Sequence, residues 1–160
     1  MIVRSCELVF TYSEVRQWFQ GWFAHAAPIL EGSVLKGLRR PRIAFEEGCV
    51  VLTAELPLPF GRSVEVKIRL GLSVRGGGKT LAVTFEGFSI GVLGLGLLVP
   101  FILRRACGRF GKGLGFSTRG NAILIDVLDR RFGSVEIRGR IVSCTVLPRA
   151  IQLTVGPNGE

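Results

Sequence analysis

From Arg42 onward the chain alternates with a period of two. Ile43 and Phe45 are spaced by polar or small neighbours, Glu47-Gly48 supply a turn, and Val50, Leu52, Ala54 and Leu56 resume the pattern. Pro57 and Pro59 punctuate a loop. The clearest stretch is 64–75: Val64, Val66, Ile68, Leu70, Leu72 and Val74 share one parity, and Glu65, Lys67, Arg69, Gly71, Ser73 and Arg75 the other. Such strict alternation implies one buried and one wet face, as in an antiparallel sheet. At ~3.3 Å per residue this strand would reach ~40 Å, which is long. Gly76-Gly77-Gly78-Lys79 then turn the chain back into Leu81, Val83 and Phe85, predicting a hairpin.

The period changes upstream. Residues 2–10 suit a short strand, after which Thr11 and Glu14 stand in capping-box spacing, with Phe10 and Val15 placed as a hydrophobic staple. Val15, Trp18, Phe19, Trp22, Phe23, Ala26 and Ala27 follow at helical spacing, and Pro28 ends the helix. Its polar face is Glu14, Arg16, Gln17, Gln20 and His25, too neutral for an interfacial membrane helix. The stripe therefore predicts packing on a sheet. Residues 29–40 read as a connection, with Lys36, Arg39, Arg40 and Arg42 gathered around Pro41.

Residues 87–103 carry no charge, and Arg104, Arg105, Arg109 and Lys112 follow directly. This stretch predicts a strand end, a turn at Gly91, Gly94 and Gly96, and a short helix from Pro100 with Phe101, Ile102 and Phe110 on its apolar side. Its arginines lie toward the helix C-terminus, where the dipole favours cations. Gly108, Gly111, Gly113 and Gly115 form a loose connection. A last sheet section covers 122–128, 135–146 and 151–155, with Leu147-Pro148-Arg149-Ala150 as a hairpin turn. Val135, Ile137 and Ile141 share one parity but Val142, Cys144 and Val146 the other, so a bulge or bend near Gly139 or Val142 is expected. The implied plan is a single α+β domain over residues 1–160: a long, curled antiparallel sheet wrapped around one long amphipathic helix, with a second, shorter helix.

Charge narrows the partners. A formal net charge of +9 on 160 residues points to an anionic class: nucleic acid, acidic lipid headgroups or acidic protein. Cys6, Cys49, Cys107 and Cys144 match no zinc or redox spacing and read as free thiols in a reducing compartment. The opening Met1-Ile2-Val3-Arg4-Ser5-Cys6-Glu7 lacks a basic segment followed by an apolar core, so no signal peptide is expected. The uncharged run of 87–103 is short for a membrane helix, which needs ~20 residues, and glycines and Pro100 break it. A cytoplasmic protein, peripheral at the membrane, is the implied location.

Catalytic chemistry has little support. Arg75-Gly76-Gly77-Gly78-Lys79-Thr80 resembles the tail of a phosphate loop, but the motif requires a glycine where Ser73 stands and a helix where Leu81, Val83 and Phe85 continue a strand. Gly94-Leu95-Gly96-Leu97-Leu98-Val99 lacks the third glycine of a dinucleotide fingerprint. His25 is the only histidine, and Asp126 and Asp129 are the only aspartates, so no triad or His/carboxylate metal set assembles. No catalytic residue, metal or cofactor is expected. Nucleic-acid binding has charge in its favour, but readers of single strands need aromatics on a basic sheet face, and the wet face of 64–75 has none.

Lipid or another apolar ligand fits more features. Long strands with one aliphatic face offer more apolar surface than two helices cover, and the surplus would line a groove. The groove would be lined by Trp18, Trp22, Phe23, Val66, Ile68, Leu70, Leu72, Phe101 and Ile102, with Arg104, Arg105, Arg109 and Lys112 meeting an anionic headgroup at its mouth. The succession of a long amphipathic helix, Ile43-Ala44-Phe45-Glu46-Glu47-Gly48-Cys49-Val50-Val51-Leu52, the 64–75 strand, and Phe88-Ser89-Ile90-Gly91-Val92-Leu93-Gly94 leading into a Leu/Pro helix resembles a tubular lipid-binding (BPI-like) module. That resemblance implies a curled sheet around a long helix, an apolar groove for lipid and no catalytic residues. The expectation is a binding protein for an acyl-bearing ligand or an anionic membrane surface. The alternatives are a basic nucleic-acid-binding domain, or a structural protein that forms a homodimer.

Overall fold

Residues alternating between β-branched or aromatic and polar side chains account for most of the described structure. The computed structural model describes residues 2–3, 6–26, 37–101, 104, 116–126, 131–132, 135–137 and 139–157. In chain order the strands are β1 (Ile2–Val3), β2 (Cys6–Thr11), β3 (Arg39–Glu46), β4 (Cys49–Pro57), β5 (Ser63–Arg75), β6 (Thr80–Ile90), β7 (Leu93–Gly94), β8 (Phe116–Arg119), β9 (Ala122–Asp126), β10 (Arg131–Phe132), β11 (Val135–Ile137), β12 (Arg140–Leu147) and β13 (Ala150–Gly156). One helix, α1 (Tyr12–Ala26), separates β2 from β3.

The strands form three sheets. The largest runs β3-β4-β5-β6-β9-β8, with β7 paired to β6, and its pairings are all antiparallel. A second sheet has the order β12-β13-β2, also antiparallel. The third, β1-β11-β10, includes a parallel pairing of β1 with β11. The predicted 64–75 strand is β5; its even positions are all buried or half-buried and its exposed positions are all odd, although odd Gly71 is buried and odd Lys67 half-buried.

The second sheet packs on the first, and the core lies between them. Ile43, Phe45 and Val50 from β3 and β4 meet Val146 from β12, flanked by Leu52, Leu70, Leu72 and Ile151. Farther along, Ile141, Leu153 and Val155 gather Cys6, Leu8, Phe10, Val74, Leu81 and Cys144. Strand β12 reaches across from one hairpin turn to another. Gly48 in the β3–β4 turn donates its amide to the Val146 carbonyl at 3.3 Å. At its other end β12 meets the β5–β6 turn, where a Cβ placed on Gly78 would stand 2.5 Å from the Ile141 carbonyl oxygen.

This arrangement corrects the expected fold class. Strand accounts for 64% and helix for 21% of the described structure, and the large sheet is not wrapped around a long helix. The apolar face of β5 is covered by β12 and its neighbours instead. Helix α1 lies at the margin: Val15 and Phe19 are half-buried against the core, and Trp18 is 57% exposed. The physical reason is that an apolar stripe specifies a buried face without saying what buries it. The β-branched inner positions of β12 and β13 compete for the same surface and present a flatter complement to a sheet. The second helix is represented by 99–101 and 104, preceded by a 3-10 turn at Gly96–Leu98.

Local details follow sequence chemistry closely. Thr11 donates its amide to the Glu14 carboxylate at 2.8 Å and its hydroxyl at 2.7 Å. Phe10 does not join Val15 in one cluster; its ring meets Trp18 edge-on at 5.5 Å. Tyr12 anchors the helix start by donating its hydroxyl to the Ile43 carbonyl at 2.8 Å, its ring edge-on to Phe45. The expected parity switch in the last section is a register shift between Ile141 and Ser143.

Two predictions follow from these contacts. Gly78→Ala combines a backbone φ of +93° with a clash against β12 backbone, and should cost about 3 kcal/mol or more in urea unfolding. Gly77→Ala, at φ +66° with open space around it, should cost only about 1–2 kcal/mol. The second concerns Glu14, whose carboxyl is held below its ordinary value by the Thr11 hydroxyl and then the Thr11 amide. A depressed folded-state value stabilises above the ordinary glutamate range, and that stabilisation is lost as pH falls through the lowered value. Thermal midpoints measured from neutral to acid pH should therefore fall less steeply in Glu14→Gln than in the native protein.

Candidate functional site

The β4–β5 turn is built by residues that cannot continue a strand. Pro59 removes an amide donor, and Phe60 and Gly61 both take left-handed backbone, at φ 68° and 73°. Leu58 closes the loop by donating its amide to the Arg62 carbonyl at 2.7 Å. Beside it lies the β6–β7 turn. Gly91, at φ 58°, donates its amide to the Glu65 carbonyl at 2.7 Å, and any Cβ there would stand 2.8 Å from the Val64 side chain. Leu95 donates to the Phe88 carbonyl, which holds the following 3-10 turn against β6. Both turns thus occupy the same end of the large sheet, away from the turns that β12 crosses.

This end is apolar and open. Phe60 and Val92 are each 101% exposed and Leu97 is 98% exposed. Leu58, Leu93, Leu98 and Phe101 are exposed as well, so most large exposed hydrophobics among the described residues fall in 58–60 and 92–101. Contiguous exposed apolar surface of this kind marks an interaction site, whereas scattered single residues do not. Nearby charge is mixed, with exposed Glu65 three residues beyond Arg62 and paired in register with Glu55. Arg62 closes the first turn and Arg104 follows Phe101, and both are exposed. Arg39 pairs in register with Glu55, and the Arg40 guanidinium is 3.5 Å from the Glu55 carboxylate. The cleft lined by Arg40, Arg42, Thr53, Ala54, Glu55 and Glu65 measures about 20 Å³, room for a water and no larger ligand.

The sequence-derived groove residues separate in space. Leu70 and Leu72 pack against the same buried cluster as Val15 and Phe19 of the helix stripe. Val66 is buried and Ile68 is half-buried on the same strand. Trp18 is exposed beside Phe10, and Phe101 and Arg104 are exposed beyond the 3-10 turn that follows β7. The side chains of Trp22 and Phe23, and residues Ile102, Arg105, Arg109 and Lys112, lie outside the described residues. A shallow depression of about 500 Å³ is lined by Thr11, Tyr12, Ser13, Ala44, Phe45, Pro148 and Arg149, and by none of these groove residues. The sequence signal that would have found the open end is a large apolar residue inside turn chemistry, as in Pro59-Phe60-Gly61 and Gly91-Val92.

Other polar groups are structural. Arg69 pairs with Glu46 at 3.1 Å and donates to the buried Cys49 sulfur at 3.3 Å, on the outer face of the large sheet. Both charged side chains are nearly half exposed, so the pair adds little stability. Burial pushes the Cys144 thiol up, which keeps it protonated and inert at neutral pH. Lys79 precedes β6 and not a helix, so the glycine turn before it has no phosphate-loop context. Among the described residues no cluster of three or more His, Cys, Asp or Glu is placed to hold a metal, and no helix is long and apolar enough to cross a membrane. No family model, curated protein or solved structure matches the chain.

Core and open end should respond oppositely to substitution. Phe45→Ala removes a 9%-exposed ring from the first cluster and should cost about 3–5 kcal/mol in denaturant unfolding. Val92→Ser and Leu97→Ser should each stay within about 0.5 kcal/mol of the native protein.

Proposed function

We propose that the protein is a non-enzymatic module that binds anionic membrane surfaces peripherally, docking through the open apolar end of its large sheet. The observation that carries this reading is the pair of adjoining turns that hold Phe60 and Val92 fully in water, with Arg62 closing the first turn and exposed Leu97 and Arg104 following the second in sequence. These turns are convex. A concave pocket encloses a small ligand, whereas protruding tips suit a broad, soft surface that can yield around them. Apolar side chains would enter the boundary between headgroups and acyl chains while the arginines stay at phosphate level.

Magnitudes favour a bilayer. Burying a Phe, Val or Leu side chain is worth about 1.5–3 kcal/mol, and each arginine near an anionic leaflet adds about 1 kcal/mol. Phe60, Val92 and Leu97 with two arginines therefore supply about 6–11 kcal/mol before the cost of association, a scale suited to weak, reversible, peripheral binding. The +9 net charge acts in the same direction by drawing the protein to the leaflet.

Cosedimentation with vesicles tests the proposal. The native protein should pellet with phosphatidylserine-containing vesicles at low salt, bind pure phosphatidylcholine weakly, and lose affinity as salt rises. Val92→Ser/Leu97→Ser should weaken binding roughly a hundredfold or more. Absence of binding to the anionic vesicles would overturn the reading. So would concentration-dependent dimerisation abolished by the same double substitution, which would assign the apolar end to a second copy.

A further inference from the structure

Phe60 stands apart from the other exposed residues of this end. It is one of two non-glycine residues with positive φ among those described, the other being Arg40. Left-handed backbone is disfavoured for a side chain with a Cβ, more so for a bulky aromatic, and asparagine or glycine fits it better. The ring recovers nothing from the fold in return, because it is 101% exposed. A residue that strains the backbone and gains no burial on folding is a net cost to the stability of the free protein. Such an outlier points toward a function at that position.

Register places Phe60 foremost. Strand β6 ends opposite Val66, where Ile90 is its partner, and β5 continues to Ser63 before the turn. Those three further residues carry the β4–β5 turn beyond the end of β6, and the β6–β7 turn follows it part of the way, with Gly91 level with Glu65 and Val64. Val92 and Leu93 stand behind it, and Arg62 lies two residues from Phe60 on the strand side of the turn.

We infer, building on the membrane reading above, that Phe60 is a preformed insertion anchor: the strained turn holds its ring outward ahead of the rest of the surface, and the site takes a phosphate-bearing lipid headgroup at Arg62 once the ring has entered. Preorganisation is the physical gain. A ring already projecting loses little conformational freedom on insertion, so more of its transfer free energy appears as affinity. The pairing of an apolar tip with a cation just behind it selects anionic leaflets over neutral ones.

The test uses the full chain with Phe60→Asn and Phe60→Gly, read by thermal unfolding and by partition into phosphatidylserine vesicles. Phe60→Asn should raise the unfolding midpoint by ~2–4 °C and weaken vesicle binding roughly ten- to hundredfold. Phe60→Gly should weaken binding as much and leave the midpoint no lower than the native one. Arg62→Gln should reduce the preference for phosphatidylserine over phosphatidylcholine and leave the midpoint unchanged. A raised midpoint with native-level binding would overturn the anchor role while leaving the membrane reading intact. A lowered midpoint in both Phe60 variants would overturn the strain it rests on. If the native protein ignores anionic vesicles, the membrane reading fails and the anchor falls with it.

Discussion

The close crossing of β12 over the large sheet organises this protein. One end of β12 is fastened where Gly48 bonds the Val146 carbonyl, and the other where Gly78 lies under Ile141 and Arg140 with no room for a side chain. Both core clusters grow from this contact. It puts Val146 among Ile43, Phe45 and Val50, and Ile141 near Val74 and Leu81. Without a glycine in the β5–β6 turn the two sheets would be pushed apart there, and packing of this kind tolerates little displacement.

The crossing is also what separates the two ends of the large sheet. Strand β12 spans the end defined by the β3–β4 and β5–β6 turns, so apolar positions nearest it become core. The β4–β5 and β6–β7 turns lie beyond its reach. Their apolar residues face outward, with Phe60 and Val92 wholly in water and arginines close by. Architecture and proposed function thus have one origin: a small second sheet covers one part of a long first sheet and leaves the remainder exposed. An anionic lipid surface matches that remainder in both polarity and charge.

Much of the local structure was legible in the sequence. Period-two alternation located β4, β5, β6 and β9, T-x-x-E spacing located the start of α1, and the parity change after Ile141 located the bulge in β12. Local patterns report on local backbone, so this success is expected. The relation between elements was not legible. Nothing in 6–11 states that it pairs with 150–156, and nothing in the Val15–Phe19 stripe states that β12 will take the centre of the sheet's inner face. Strand β8 was hidden by the glycines before Phe116. Of the candidate site, Phe101 and Arg104 were reached through the uncharged run and its basic end. Phe60 and Val92 were missed, because alternation describes the faces of a strand and says nothing of its ends.

Amide hydrogen exchange, followed by mass spectrometry with and without phosphatidylserine vesicles, bears most directly on the central claim. Slowed exchange is expected in peptides spanning 58–62 and 91–98 when vesicles are added, with β12 and β13 equally protected in both conditions. Protection gained on β12 and β13, with 58–62 and 91–98 unchanged, would contradict it.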